Sequence, residues 1–256
     1  MSLFKKKELK VSIILPNYNS SESIAATINS ILQQSYKHWE LVVVDDNSDK
    51  KTKNILSKFK KIKKIKIFYL KKNKGAGYCR NLAIIKSQSH YLAFIDSDDL
   101  WQKNKLKLQV NFMQKNNYDF TYTYYKTFRI NKLKKKKIQL PNKFDFDSFI
   151  KNTSLSTSSM VIKRSEAKKI KFTNSKICED YYYKCELLKK IRFAYCYPKY
   201  LTSYQIRKNS LQSNRFRNLY WIWKINSNLN KLNFLKNFIS IIFISINSIK
   251  KYGLRY

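Results

Sequence analysis

The chain has 256 residues, 43% of them hydrophobic and 15% aromatic, with 53 Lys and Arg against 16 Asp and Glu for a formal charge of +37. That apolar content suffices for one large core and excludes a disordered chain, while the charge favours polyanionic partners or, as readily, reflects lysine usage on solvated faces. Cys79, Cys178, Cys185 and Cys196 form no C-x-x-C pair, and His38 and His90 are the only histidines, which argues against zinc and for reduced thiols in the cytoplasm.

The opening "MSLFKKKELK" (1–10) lacks the apolar run of a secretory signal and is expected to be a basic tail. "VSIILP" (11–16) is β-branched and apolar, as a strand buried in a parallel sheet must be. Asn19 with Glu22 three residues on predicts a helix start, and Ile24, Ile28, Ile31 and Leu32 recur on one helical face. "WELVVVDD" (39–46) predicts a second strand, "NSDKKTKNILSKF" (47–59) a capped helix and "IKIFYL" (65–70) a third strand. The turn "KKNKGAG" leads into a helix over 78–87, and "YLAFI" (91–95) is a fourth strand followed by a helix over about 101–116. Strand and helix alternating four times predicts an open, mostly parallel sheet covered by helices on both faces.

After about residue 117 the rhythm changes. "DFTYTYYKTF" (119–128) alternates as a strand, and "NKLKKKKIQLPNK" is expected to be an exposed hairpin or loop. "STSSMVI" (156–162) is strand-like, "EDYYYKCELLKK" (179–190) is helical, and "RFAYCY" and "LTSYQI" predict two short strands. Two helices follow from about 211. The expected layout is a nucleotide-binding half over about 11–117, merging into an α+β half over about 118–213, with a helical appendage over 214–256.

In so basic a chain the acids are placed unevenly. Half of them fall in three clusters: Asp45, Asp46 and Asp49; Asp96, Asp98 and Asp99; Glu179 and Asp180. The first two follow predicted parallel strands, at the end where ligands bind in open α/β sheets. Helix capping explains one acid per cluster, and Asp49 fits it, but three acids in four positions also suit a hard divalent cation such as Mg²⁺ or Mn²⁺. Two of the three glycines, Gly75 and Gly77, sit in "KNKGAGYCRN", a turn able to offer N–H groups to a phosphate or let a nucleotide approach. The G-x-G-x-x-G fingerprint fails because Arg80 holds the third position, and no G-K-[ST] exists.

Taken in order, "VSIILPNYN", "VVVDDNS", "NKGAGYCRN", "FIDSDD" and "CEDYYYKCELLKK" resemble the motifs of glycosyltransferase family 2, inverting nucleotide-sugar transferases of GT-A fold. The resemblance covers roughly residues 10 to 213. It implies that Pro16 and Tyr18 line the nucleotide base with Tyr18 stacking on it, that Asp46 accepts a hydrogen bond from the base, and that Arg80 approaches the same end. Asp96 would hold the ribose or the metal, and Asp98 would ligate the Mn²⁺ or Mg²⁺ bridging the diphosphate. Asp180 would be the general base, with Glu179 orienting the acceptor. Where the family often ends in Y-R-x-H-x-x-S, this chain has "YQIRKNS" (204–210); Arg207 replaces a potential metal ligand with a group suited to contacting the diphosphate.

The implied donor is a UDP-, GDP- or dTDP-linked sugar, and the implied acceptor a glycan or lipid-linked glycan of surface polysaccharide or lipopolysaccharide. Two other functions compete: a nucleotidyltransferase with a similar sheet and metal site, and a basic nucleic-acid-binding protein. The latter lacks any recognisable binding motif and leaves the acid clusters unexplained, so no specific nucleic acid is expected. No run reaches the roughly 18–20 apolar residues needed to span a bilayer. The last helix carries Leu232, Leu235, Ile239, Ile242 and Ile246 at helical intervals, with lysines at both ends. That pattern fits a helix lying on an anionic membrane surface at its inner, cytoplasmic face, and equally one packed on the core.

Overall fold

The apolar run over 11–16 becomes β1 (Val11–Asn17), buried along its whole length, in a computed structural model that describes residues 9–129, 132–173, 177–206 and 214–252. β2 (Trp39–Asp45) and β3 (Ile65–Tyr69) add to one side of β1 and β4 (Tyr91–Phe94) to the other, all parallel. Successive side chains point to opposite faces, so each strand feeds two cores. Ile13, Leu15 and Val43 pack against α1 (Ile24–Leu32) and α2 (Lys50–Ser57). Ile14, Val42, Val44 and Phe94 pack with Cys79, Ala83 and Ile84 of α3 (Ala76–Lys86). This is the doubly covered parallel sheet that the first half predicts.

The second half extends the sheet. In chain order it adds β5 (Leu100–Trp101), α4 (Lys105–Asn116), β6 (Phe120–Arg129), β7 (Lys132–Ile138) and β8 (Lys143–Phe144). There follow α5 (Phe146–Phe149), β9 (Val161–Lys163), α6 (Arg164–Ala167), α7 (Glu179–Ile191), β10 (Ala194–Gln205), α8 (Arg215–Asn228) and α9 (Phe234–Tyr252). Among the described residues one sheet runs β3-β2-β1-β4-β9-β6-β10-β5, with β7 on β6 and β8 on β10. The lysine-rich stretch is thus one arm of an antiparallel hairpin.

Four local expectations are corrected. Asn19 does not cap α1: its backbone is left-handed at φ 43°, and its Oδ1 accepts from the Asp49 N–H at 2.8 Å. The helix expected from 101 starts at Lys105, because Leu100–Trp101 pairs with Thr202–Ser203 and the Trp101 Nε1–H donates to the Ser158 carbonyl. "STSSMVI" is strand only from Val161; Thr157–Ser159 is a 3₁₀ turn. The two short strands after α7 are one strand, β10, whose pairing slips between Tyr197 and Thr202, where Pro198 has no N–H to donate. Asp49 does cap α2, accepting from the Thr52 N–H at 2.7 Å.

Candidate active site

β4 ends at Phe94, and the chain turns through Asp96 beside the carboxyl end of β1. α3 points its Arg80 into the same place. This side chain is almost fully buried, donating from one terminal nitrogen to Asp96 Oδ1 at 2.6 Å and from the other to Glu179 Oε1 at 2.7 Å. Its guanidinium carbon lies 5.3 Å from the centre of the Phe172 ring. Burial opposes its charge, but Asp96, Glu179 and Asp180 outweigh that and push its pKa up. Arg80 is therefore the cation that lets Asp96 and Glu179 lie close together.

The other wall is the first turn of α7. Cys178 precedes it in a left-handed conformation at φ 60°, which turns Glu179 and Asp180 toward the cleft. Asp180 Oδ2 accepts from Lys184 Nζ at 2.7 Å and from Thr157 Oγ1 at 2.8 Å. Burial works against its ionisation; Lys184, Arg80 and Thr157 overcome burial and hold the carboxyl well below the usual range. The Asp180 side chain remains 21% exposed, so it is not sealed from solvent. Burial raises the Glu179 carboxyl, with Arg80 opposing and Asp180 adding to the rise.

The 3₁₀ turn ties the two walls together. Ser158 Oγ accepts from the Asp96 N–H at 3.0 Å while Thr157 holds Asp180. Lys184 follows Asp180 at the four-residue spacing of a helical ion pair; the hydroxyls carry no periodic or spacing signal. Their only trace in the sequence is the run of Ser and Thr before β9.

Asp46 lies at the same end of the sheet but is already engaged. Its oxygens accept from the Lys74 N–H at 2.7 Å and the Gly75 N–H at 2.8 Å, fixing the turn from which α3 departs. Asp45 is buried, bonding Asn17 Nδ2 and the Ser48 N–H. Pro16 is buried in β1 opposite Val44, whereas Tyr18, just past the strand, leaves half its surface exposed. Arg207 lies outside the described residues.

Asp98 is half-buried beside Asp96. Its neighbour Asp99 is fully buried: one oxygen accepts from the Gln205 N–H at 2.9 Å, and Oδ2 has no hydrogen-bond partner. Burial, then Asp98 and Asp96, raise the Asp99 pKa well above the ordinary value. A hard cation held by Asp98 and Asp96 would relieve that accumulation of charge, so the donor set fits Mg²⁺ or Mn²⁺. Among the described residues no three such side chains make a complete metal site, and water and a ligand's phosphate oxygens must supply the rest.

The glycines act differently from expectation. Gly75 holds φ +88° at the head of α3, a backbone state L-residues rarely adopt. Gly77 allows close approach, though to protein: a Cβ there would lie 2.5 Å from the Thr173 carbonyl oxygen and 3.1 Å from Glu179 Cγ. Gly77→Ala is expected to destabilise the fold by roughly 1–3 kcal/mol and to displace Glu179. An unchanged thermal midpoint with unchanged activity would show that this contact is not tight.

The sequence matches the family model described as "Glycosyl transferase family 2" over residues 12–170. A Bacillus subtilis glycosyltransferase named for teichuronic acid biosynthesis, TuaG, is 34% identical over 94% of this chain and 96% of its own. An Escherichia coli protein, WfgD, named as a UDP-Glc:alpha-D-GlcNAc-diphosphoundecaprenol beta-1,3-glucosyltransferase, is 32% identical over 96% of both chains. S. aureus TarS bound to UDP-GlcNAc superposes with a TM-score of 0.72 at 22% identity, over 96% of this chain and 76% of that one. The mannosyltransferase PcManGT from Pyrobaculum calidifontis, with GDP-Man and Mn²⁺, gives 0.70 at 15% identity over 97% and 72%. No helix among the described residues is long and apolar enough to cross a membrane.

Proposed function

The chain belongs to glycosyl transferase family 2, and we propose that it moves a sugar from a UDP-linked donor onto a glycan or lipid-linked acceptor in cell-surface polysaccharide assembly. The observation that carries this reading is the hydrogen-bonded cluster of Asp96, Arg80 and Glu179, with Asp180 beside it, drawn from three distant segments to the carboxyl end of the parallel strand β4. The names of TuaG and WfgD support the class of acceptor.

In this reading residues 11–117 bind the nucleotide and residues 118–213 present the acceptor. The exposed Tyr18 ring stacks on the base over Pro16, and Asp46 borders the base while holding the 74–75 turn. Asp98 and Asp96 would hold the divalent cation, which when bound would stabilise negative charge on the departing diphosphate. Glu179, fixed by Arg80, orients the acceptor hydroxyl, and Asp180 takes its proton as it attacks the anomeric carbon from the face opposite the leaving group. A single displacement inverts that carbon. The reaction runs on the cytoplasmic side of a membrane when the acceptor is lipid-linked.

Incubating the protein with UDP-, GDP- and dTDP-sugars, Mn²⁺ and a polyprenyl-diphosphate-linked sugar tests this. Release of UDP with an elongated acceptor is expected. Pyrophosphate release would instead mean nucleotidyl transfer, and turnover with GDP- or dTDP-sugars alone would correct the donor. Asp98→Ala is expected to raise the donor Kd by roughly tenfold or more with Mn²⁺ present and to change it little in chelator. Equal weakening in both conditions would remove Asp98 from the metal.

A further inference from the structure

Helix α9 packs with its polar side chains inward. Asn237 and Ser240 are fully buried, whereas Phe234, Leu235, Phe238, Ile242, Phe243 and Ile246 face outward with 41% to 73% of their surface exposed. The inward groups are matched by partners: Asn237 Nδ2 donates to the Trp223 carbonyl, Ser240 Oγ to the Ile150 carbonyl and Asn247 Nδ2 to the Lys151 carbonyl. Asn226 of α8 bonds both Asn237 and Ser240, so polar contacts join the two helices. A helix in water gains stability by burying its apolar residues; this one buries Ile244 and packs Ile241 on the core but leaves most of the others outside. α8 also exposes Phe216 and Tyr220, and its Trp223 ring lies 5.5 Å from that of Phe234; so many exposed apolar residues on two packed helices are more than scattered single ones.

Charge identifies what covers it. Residues 214–256 contain eight Lys or Arg and no Asp or Glu. A second copy laid on this face would oppose cation to cation, whereas anionic headgroups would neutralise it. Lys224 lies over the Tyr220 and Trp221 rings at 5.3 and 5.5 Å, a cation and aromatics side by side beside the apolar face. α9 spans 19 residues and is not apolar enough to cross a bilayer, so it can only lie in the plane of the surface.

We propose that the outward faces of α8 and α9 dock on an anionic phospholipid bilayer. Phe234, Phe238 and Phe243 enter the acyl boundary, and Lys224, Lys231 and Lys250 meet the headgroups. The surface is coupled to the cleft: Tyr181, directly after Asp180, donates its hydroxyl to Asn226 of α8 at 2.7 Å. Docking would hold the first turn of α7 near the membrane, where a lipid-linked acceptor lies. This extends the acceptor reading but stands on the inverted helix, and its test needs neither donor nor acceptor.

The test is co-sedimentation of the full chain with phosphatidylglycerol-containing vesicles and with phosphatidylcholine vesicles. Binding to the anionic vesicles, weakened by salt, is expected. Phe238→Ser with Phe243→Ser should reduce it by roughly tenfold or more, because two buried rings are lost. The thermal midpoint should not fall, since those rings are exposed in the free protein. A chain that stays in the supernatant with anionic vesicles overturns the proposal. So does a solution dimer that the double variant splits into monomers, or a double variant that binds vesicles as well as the parent.

Discussion

Asp180→Asn is expected to lower turnover by roughly 10² or more while leaving donor affinity unchanged. Asparagine keeps the shape and can still accept from Lys184 and Thr157, so the first turn of α7 should stay in place. What it loses is the ability to take a proton. Because Lys184, Arg80 and Thr157 overcome burial and depress this carboxyl, the base form persists well into acid. Asp180 should therefore impose no acid limb on kcat above about pH 4. Steady-state kinetics with donor binding measured separately decides the matter. Near-parental kcat in the variant would move the base elsewhere.

Arg80→Met is the second large effect, on stability as much as on activity. It removes the shared partner of Asp96 and Glu179 and leaves the mostly buried Glu179 carboxylate without a cation, a loss of roughly 3 kcal/mol. The penalty should be greatest near neutral pH and shrink in acid, as Glu179, whose pKa burial already raises, takes up a proton and no longer needs a partner. Arg80→Lys should restore little, because one ammonium cannot bridge two acids from opposite walls as the guanidinium fork does. Denaturant unfolding at pH 7 and pH 4.5 measures both statements. A variant as stable as the parent at pH 7 would mean that Arg80 does not hold the cleft together.

The doubly covered half was legible because its strands are continuous apolar runs and its helices keep one apolar face. The acids of the site were legible through scarcity: in a chain this basic, Asp96, Asp98, Glu179 and Asp180 had little reason to cluster otherwise. The central place of Arg80 was not, since its two partners lie 16 and 99 residues away in sequence. Thr157 and Ser158 were hidden for the same reason; a short polar turn acquires its role from what folding brings beside it. The strand expectation over 156–162 failed there because hydroxyls that bond the Asp96 N–H and the Asp180 carboxylate favour a tight turn over a ladder.

The C-terminal helix shows another limit. The spacing of Leu235, Ile242 and Ile246 announces an apolar stripe but not its direction. The direction follows from the opposite face, where Asn237, Ser240 and Asn247 find carbonyl partners at Trp223, Ile150 and Lys151. Periodicity defines the faces of a helix, and only tertiary partners decide which one turns inward.

A crystal structure of the protein with UDP and Mn²⁺ tests the central claim most directly. The account predicts the diphosphate and cation against Asp98 and Asp96, the uracil on the Tyr18 ring, and an open path between the β-phosphate and Asp180. Nucleotide bound anywhere outside the cleft that Arg80 closes, with Asp98 and Asp180 both untouched, would contradict it.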